Sequence, residues 1–146
     1  MPVIDAIKIC SFDPRYQDAA AKLINEGLGE RFGGIANPTL NPDLYDIAKS
    51  YASGEFVVAL HRDQLVGTGA LLPEYGGVRR IARMHTMATY RRQGVGTRIL
   101  RELEQRAQLR GLIRLVLETN ASWEDAIRFY HAEAMIGCQE SAREDY

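Results

Sequence analysis

Residues 81–111 read IARMHTMATYRRQGVGTRILRELEQRAQLRG, and this stretch decides the fold. Ile81–Thr86 is strand-like, and a short turn leads to Arg91-Arg92-Gln93-Gly94-Val95-Gly96-Thr97. Beyond it Val95, Ile99, Leu103 and Ala107 recur at the i, i+4 spacing of one buried helix face. A strand that breaks at a glycine-bearing turn and restarts as a helix gathers several backbone N–H groups at one point. The first helical N–H groups have no partner within the helix, and the helix dipole adds positive potential there. That arrangement suits a phosphate or pyrophosphate. Gly94 and Gly96 lack a Cβ, so a ligand can come close to the backbone.

Charge agrees. Between positions 79 and 114 ten Arg stand against Glu102 and Glu104, in a chain whose net charge is −1, so the basicity is local and suits a polyanion. Two better-known phosphate motifs fail. No G-x-x-x-x-G-K-[ST] exists, and a dinucleotide G-x-G-x-x-G would need glycine where Ile99 stands.

These residues carry a family resemblance. Arg91-x-x-Gly94-x-Gly96 resembles the R/Q-x-x-G-x-G/A acetyl-CoA signature of the GNAT superfamily of N-acetyltransferases. Ile81-Ala82-Arg83-Met84-His85-Thr86 is similar to that family's fourth strand, L-K-R-M-Y-V, and Ala126-Ile127-Arg128-Phe129-Tyr130 to the A-x-x-F/L-Y of its fourth helix. The resemblance implies an α+β, sandwich-like fold: a mixed, mostly antiparallel central sheet flanked by helices. A single acetyltransferase domain over residues 1–146 is expected, a length that supports a hydrophobic core.

The rest of the chain fits such a plan. Val3–Cys10 reads as a first strand. Asp13 and Pro14 open a helix that Gly27 suits as an end. Gly27–Asn41 is irregular in pattern, and Asn41 caps a second helix from Pro42 to Ser50. Glu55–Leu60 and Leu65–Leu72 form a hairpin through His61-Arg62-Asp63-Gln64. Leu112–Leu117 reads as a central strand, Ser122-x-x-Asp125 as the start of a helix, and the remaining tail has room for one good strand.

The resemblance also implies the chemistry, acetyl transfer from acetyl-CoA to an amine. Amides of Met84, His85 and Thr86 would hold the thioester and pantetheine arm where the fourth strand parts from the fifth. Arg91 and the amides of Arg92, Gln93, Gly94, Val95, Gly96 and Thr97 would hold the pyrophosphate. Trp123 stands where relatives carry an Asn that contacts the coenzyme. Tyr130 matches the tyrosine that protonates the leaving thiolate, and its phenol pKa of about 10 suits that acceptor. Glu118 is a candidate general base, twelve residues before Tyr130, the spacing of the bacterial ribosomal-protein alanine acetyltransferases. His85 is the rival base, since an imidazole titrates near neutrality. Its facing depends on whether the strand is bulged. Arg80 replaces a Glu common in relatives at that strand position. Phe32 and Tyr45 are candidate substrate-lining residues, with plain packing of the helix as the alternative.

Other expectations are brief. His61, His85 and His131 show no metal-ligand spacing, so no metal is expected. Cys10 and Cys138 are read as reduced thiols. No run spans a bilayer and no secretion signal appears, so a cytoplasmic enzyme without a membrane partner is expected. The partner is a small-molecule or peptide amine, in a monomer or homodimer, with no nucleic acid, because no aromatic stacking set accompanies the arginines. A non-catalytic coenzyme A-binding or sensor domain is the alternative function.

Overall fold

The computed structural model describes residues 6–31, 41–111, 114–120 and 138–143; for Arg31 and for residues 117–120 and 138–143 it describes the backbone alone. Among the described residues six strands form one sheet in the order β1-β2-β3-β4-β5-β6. They are β1 (Ile7–Ser11), β2 (Glu55–His61), β3 (Gln64–Pro73), β4 (Val78–Thr86), β5 (Arg114–Asn120) and β6 (Cys138–Arg143). The first four are antiparallel neighbours, whereas β4–β5 and β5–β6 are parallel. The expected mixed, mostly antiparallel sheet is therefore present, with one strand in the tail.

Helices cover both faces. α3 (Val95–Leu109) lies on one, and α1 (Gln17–Arg31) with the short α2 (Ile47–Ser50) on the other. The run Phe56-Val57-Val58-Ala59-Leu60 shows why the interior of β2 is apolar on both faces. Val57 and Ala59 join the core under α3, while Phe56, Val58 and Leu60 join the core under α1 and α2. The helix face expected from Val95, Ile99, Leu103 and Ala107 is fully buried, with Leu100 beside it. Gly67 and Gly69 of β3 lie beneath it. A Cβ on Gly69 would stand 2.5 Å from Ile99 Cγ2, so glycine there lets the helix settle onto the sheet. At the tip of the hairpin Arg62 and Asp63 both take positive φ, the twist that a two-residue turn between antiparallel strands demands.

Two local expectations are corrected. α1 does not stop at Gly27 but continues to Arg31. The missing Cβ of Gly27 serves contact: a side chain there would meet His85 Nδ1 at 2.5 Å. The second helix is split into a single 3-10 turn, Pro42–Tyr45, and α2, whose N-cap is Asp46. Asn41 makes no side-chain cap; its Oδ1 accepts from Arg83 instead.

Candidate active site

The site begins with an irregularity in β4. Thr68 of β3 faces His85 and Ala70 faces Ala82, so one residue of β3 opposes two of β4, Arg83 and Met84. That is a β-bulge, and Arg83 takes φ +54 to make it. The bulge changes which way the strand faces. Ala82 packs on the α1/α2 core and Arg83 turns to the same side, reaching Asp43. Met84 then points under α3, its sulfur filling space beside Gly69, and His85 lies against Gly27 of α1. The face of His85, which sequence left open, is thus the α1 side.

The bulge is held from both ends. Thr68, fully buried, donates its hydroxyl to the carbonyl of Arg83 at 2.8 Å. The Arg83 guanidinium forks onto Asp43 (Nη2 to Oδ1 2.7 Å, Nε to Oδ2 3.1 Å) and also reaches Asn41. Tyr51 donates to Asp43 Oδ2 at 2.6 Å. Burial pushes the Asp43 carboxyl up, but hydrogen bonds from Arg83 and Tyr51 outweigh it and hold the group below its ordinary value. Burial likewise pulls Arg83 down, and Asp43 more than reverses this. Tyr51 is pushed up to about 12, first by burial and then by its bond to the Asp43 carboxylate.

Just ahead of the bulge β4 and β5 separate. Their pairing runs from Val78 with Arg114 to Ile81 with Leu117 and goes no further, although β4 continues to Thr86 and β5 to Asn120. The β5-facing edge of residues 82–86 is therefore left without that strand's hydrogen bonds. Glu118 is the first residue of β5 past the last pair, and on its other side it pairs with Ser141 of β6.

The turn after β4 closes the third side. Met87 N–H returns to Val66, and a 3-10 turn at Ala88–Tyr90 places the Tyr90 hydroxyl 2.7 Å from His61 Nδ1. Arg92 and Gly94 take φ +62 and +88. Gly94 caps α3 without a side-chain bond, and the first helical bond is Arg98 N–H to Gly94 O. The amides of Val95, Gly96 and Thr97 consequently have no acceptor within the helix. Arg92, Gln93 and Gly94 are exposed beside them. The Arg91 side chain has partners within the fold. It binds the Thr86 carbonyl at 3.1 Å and Glu30 of α1 at 2.9 Å, so it braces the turn.

Several arginines of the run have partners within the fold. Arg80 pairs with Glu74, Arg83 with Asp43, Arg91 with Glu30, and Arg106 and Arg110 share Glu55. Arg114 binds the Tyr75 hydroxyl, and Arg98 the Ile7 carbonyl. The first five thus face carboxylates of the fold, and Arg98 and Arg114 bond to neutral acceptors. Arg106 pairs with Glu102 and also reaches Glu55 and Ser11, which fixes α3 to β1 and β2.

Of the remaining expected residues, Tyr45 is 63% exposed while Leu44 beside it is buried, which removes the reading of Tyr45 as a packing residue. Phe32, Trp123 and Tyr130 lie outside the described residues. Among the described residues no His, Cys, Asp or Glu group could hold a metal, and no helix is long and apolar enough to cross a membrane. Sequence reasoning missed Asp43, Tyr51 and Thr68. The signal for Thr68, a lone hydroxyl residue between two strand glycines, was present.

A sheet with helices on both faces and a wedge opening between two parallel strands is an acetyltransferase fold. A GNAT-family acetyltransferase from Staphylococcus aureus Mu50 superposes with a TM-score of 0.80 at 22% identity, covering 87% of this chain and 82% of that one. The PaiA N-acetyltransferase from Thermoplasma acidophilum, solved in complex with coenzyme A, gives 0.72 at 15% identity, with 86% and 87% covered. The chain belongs to the acetyltransferase (GNAT) family, whose sequence model matches residues 21–134, and it is an acetyltransferase. A relative from Azospirillum brasilense described as an IAA acetyltransferase is 33% identical over 121 residues, 80% of this chain and 76% of its own length.

Proposed function

We propose that this enzyme transfers the acetyl group of acetyl-CoA to a primary amine of a small molecule, amino acid or peptide N-terminus, by direct attack of the amine on the thioester. The observation that carries the reading is the parting of β4 from β5 after Ile81 and Leu117, with the amide-rich start of α3 at the end of β4. A wedge between parallel strands admits a slender pantetheine arm and offers its carbonyl the unpaired edge of β4. The coenzyme A held by the Thermoplasma acidophilum neighbour supports the same choice of cosubstrate.

In this reading the amides of residues 92–97 hold the diphosphate, with Trp123 lying along the coenzyme. Amides of Met84, His85 and Thr86 stabilise the oxyanion that develops as the amine attacks. The amine must lose a proton, and Glu118 or His85 accepts it. Glu118 stands on the β5 lip of the wedge, while His85 lies on the α1 side; Tyr45 and Phe32 are assigned here to the lining of the acceptor site. Tyr130 donates its phenolic proton to the departing thiolate. No metal takes part.

Single-turnover transfer to a panel of amines tests this. The wild type should acetylate at least one amine, and Tyr130→Phe should lose rate by about 10²-fold while binding coenzyme A as before. Coenzyme A binding with no transfer to any amine would contradict the proposal.

A further inference from the structure

The bulge residue of β4 is an arginine in a backbone conformation that side-chain-bearing residues avoid. Arg83 sits at φ +54, and such strain persists only where surrounding contacts over-determine it. Here they do. The Thr68 hydroxyl donates to the carbonyl of Arg83, Asp43 accepts two N–H groups along one edge of its guanidinium, and Asn41 accepts a third N–H. The acceptors come from a segment that is itself pinned. Gln17 of α1 donates to Leu44 O at 2.6 Å and accepts from Ile47 N–H at 2.9 Å, and Tyr51 closes on Asp43.

The consequence lies in strand parity. In an unbroken strand consecutive side chains alternate, so a β4 without the bulge would turn His85 under α3 and Met84 toward α1. With the bulge, Met84 enters the α3 core and His85 faces Gly27. The same extra residue shifts the 84–86 amides relative to β5, immediately beyond the last β4–β5 pair.

We propose that Arg83 and Asp43 are positioning residues for acetyl transfer. Their ion pair, braced by Tyr51 and Asn41, locks the β4 bulge in the form that faces His85 toward the acceptor side and sets the 84–86 amides at the wedge. The inference rests on the reading of that wedge as the acyl site. Neither residue meets the reacting atoms; both act through the strand. A planar fork makes the bidentate contact, so lysine cannot replace it.

The test uses the full chain with Asp43→Asn, Arg83→Lys and the milder Tyr51→Phe. Steady-state kinetics are read with an amine that the wild type acetylates, and amide hydrogen exchange is read at residues 82–86 and 57–59. For Asp43→Asn and Arg83→Lys, kcat should fall ~10-fold or more with KM for acetyl-CoA held within ~2-fold, because the diphosphate cradle is separate. Exchange should quicken at 82–86 and stay unchanged at 57–59. Tyr51→Phe, which keeps the ion pair, should give a smaller change of the same kind, and it decides the matter if the stronger variants do not fold. Wild-type kcat in the folded variants overturns the inference. So does a loss of kcat accompanied by faster exchange at 57–59, which marks general loosening. Failure of the parent reading looks different: the wild type itself then transfers no acetyl group, and the inference falls with it.

Discussion

The two halves of β4 obey different rules. Val78–Ile81 is ordinary sheet, paired with β5 throughout and with β3 from Arg79 on, with Val78 and Ile81 buried. Ala82–Thr86 carries a bulge, a positive φ and an edge that β5 has left, and its residues are only partly buried. Cohesion belongs to the first half, and the proposed chemistry to the second. One strand can combine them because the irregular half is anchored by side chains, Thr68 within the sheet and Asp43 outside it, where ladder bonds are missing.

Breaking the open half should cost binding and leave the fold intact. Gly94 has φ +88, and valine there would be strained and would crowd the amides beside it. Acetyl-CoA at ~100-fold its Kd should stabilise the wild type by about 2.7 kcal/mol. Gly94→Val should abolish that stabilisation, as read by denaturation with and without the coenzyme.

A second experiment sharpens the role of the anchor through pH. Tyr51 holds its proton more tightly in the folded chain, with its pKa raised from 10.0 to about 12. Its contribution is therefore complete below pH 10 and is lost as pH rises through about 12. Denaturation of wild type and Tyr51→Phe from pH 9 upward should show an alkaline loss of up to about 2 kcal/mol present only in the wild type. Asp43 works in the opposite direction. Its depressed pKa gives stability above the ordinary carboxylate range, which is lost as pH falls through its folded value.

The smallest expected effect tests the room that the bulge needs. Alanine at Gly69 would place its Cβ 2.5 Å from Ile99 Cγ2 and 2.9 Å from the Met84 sulfur. The crowding should destabilise the fold by about 1 kcal/mol, partly offset by reduced freedom of the unfolded chain. Equal stability of Gly69→Ala and wild type would show that α3 can lift without cost.

Periodic features were legible from sequence and positional ones were not. The buried stripe of α3, the hairpin and the glycine at the cradle follow from spacing and residue type. The bulge did not, because nothing in Ala-Arg-Met-His marks an extra residue; its partner, Asp43, stands forty residues earlier. Gly27 misled for a related reason. A glycine can end a helix or make room for a neighbour, and only the position of His85 shows which. The arginine count was an incomplete guide because sequence shows charges but not the carboxylates that fold against them, as Glu55 does for Arg106 and Arg110.

The most direct test is a crystal of this chain grown with acetyl-CoA. The account predicts the diphosphate on the amides of residues 92–97 and the pantetheine between the parted ends of β4 and β5, with its thioester beside the 84–86 edge. A coenzyme bound elsewhere on the molecule, or β4 and β5 hydrogen-bonded to each other through Thr86, would contradict it.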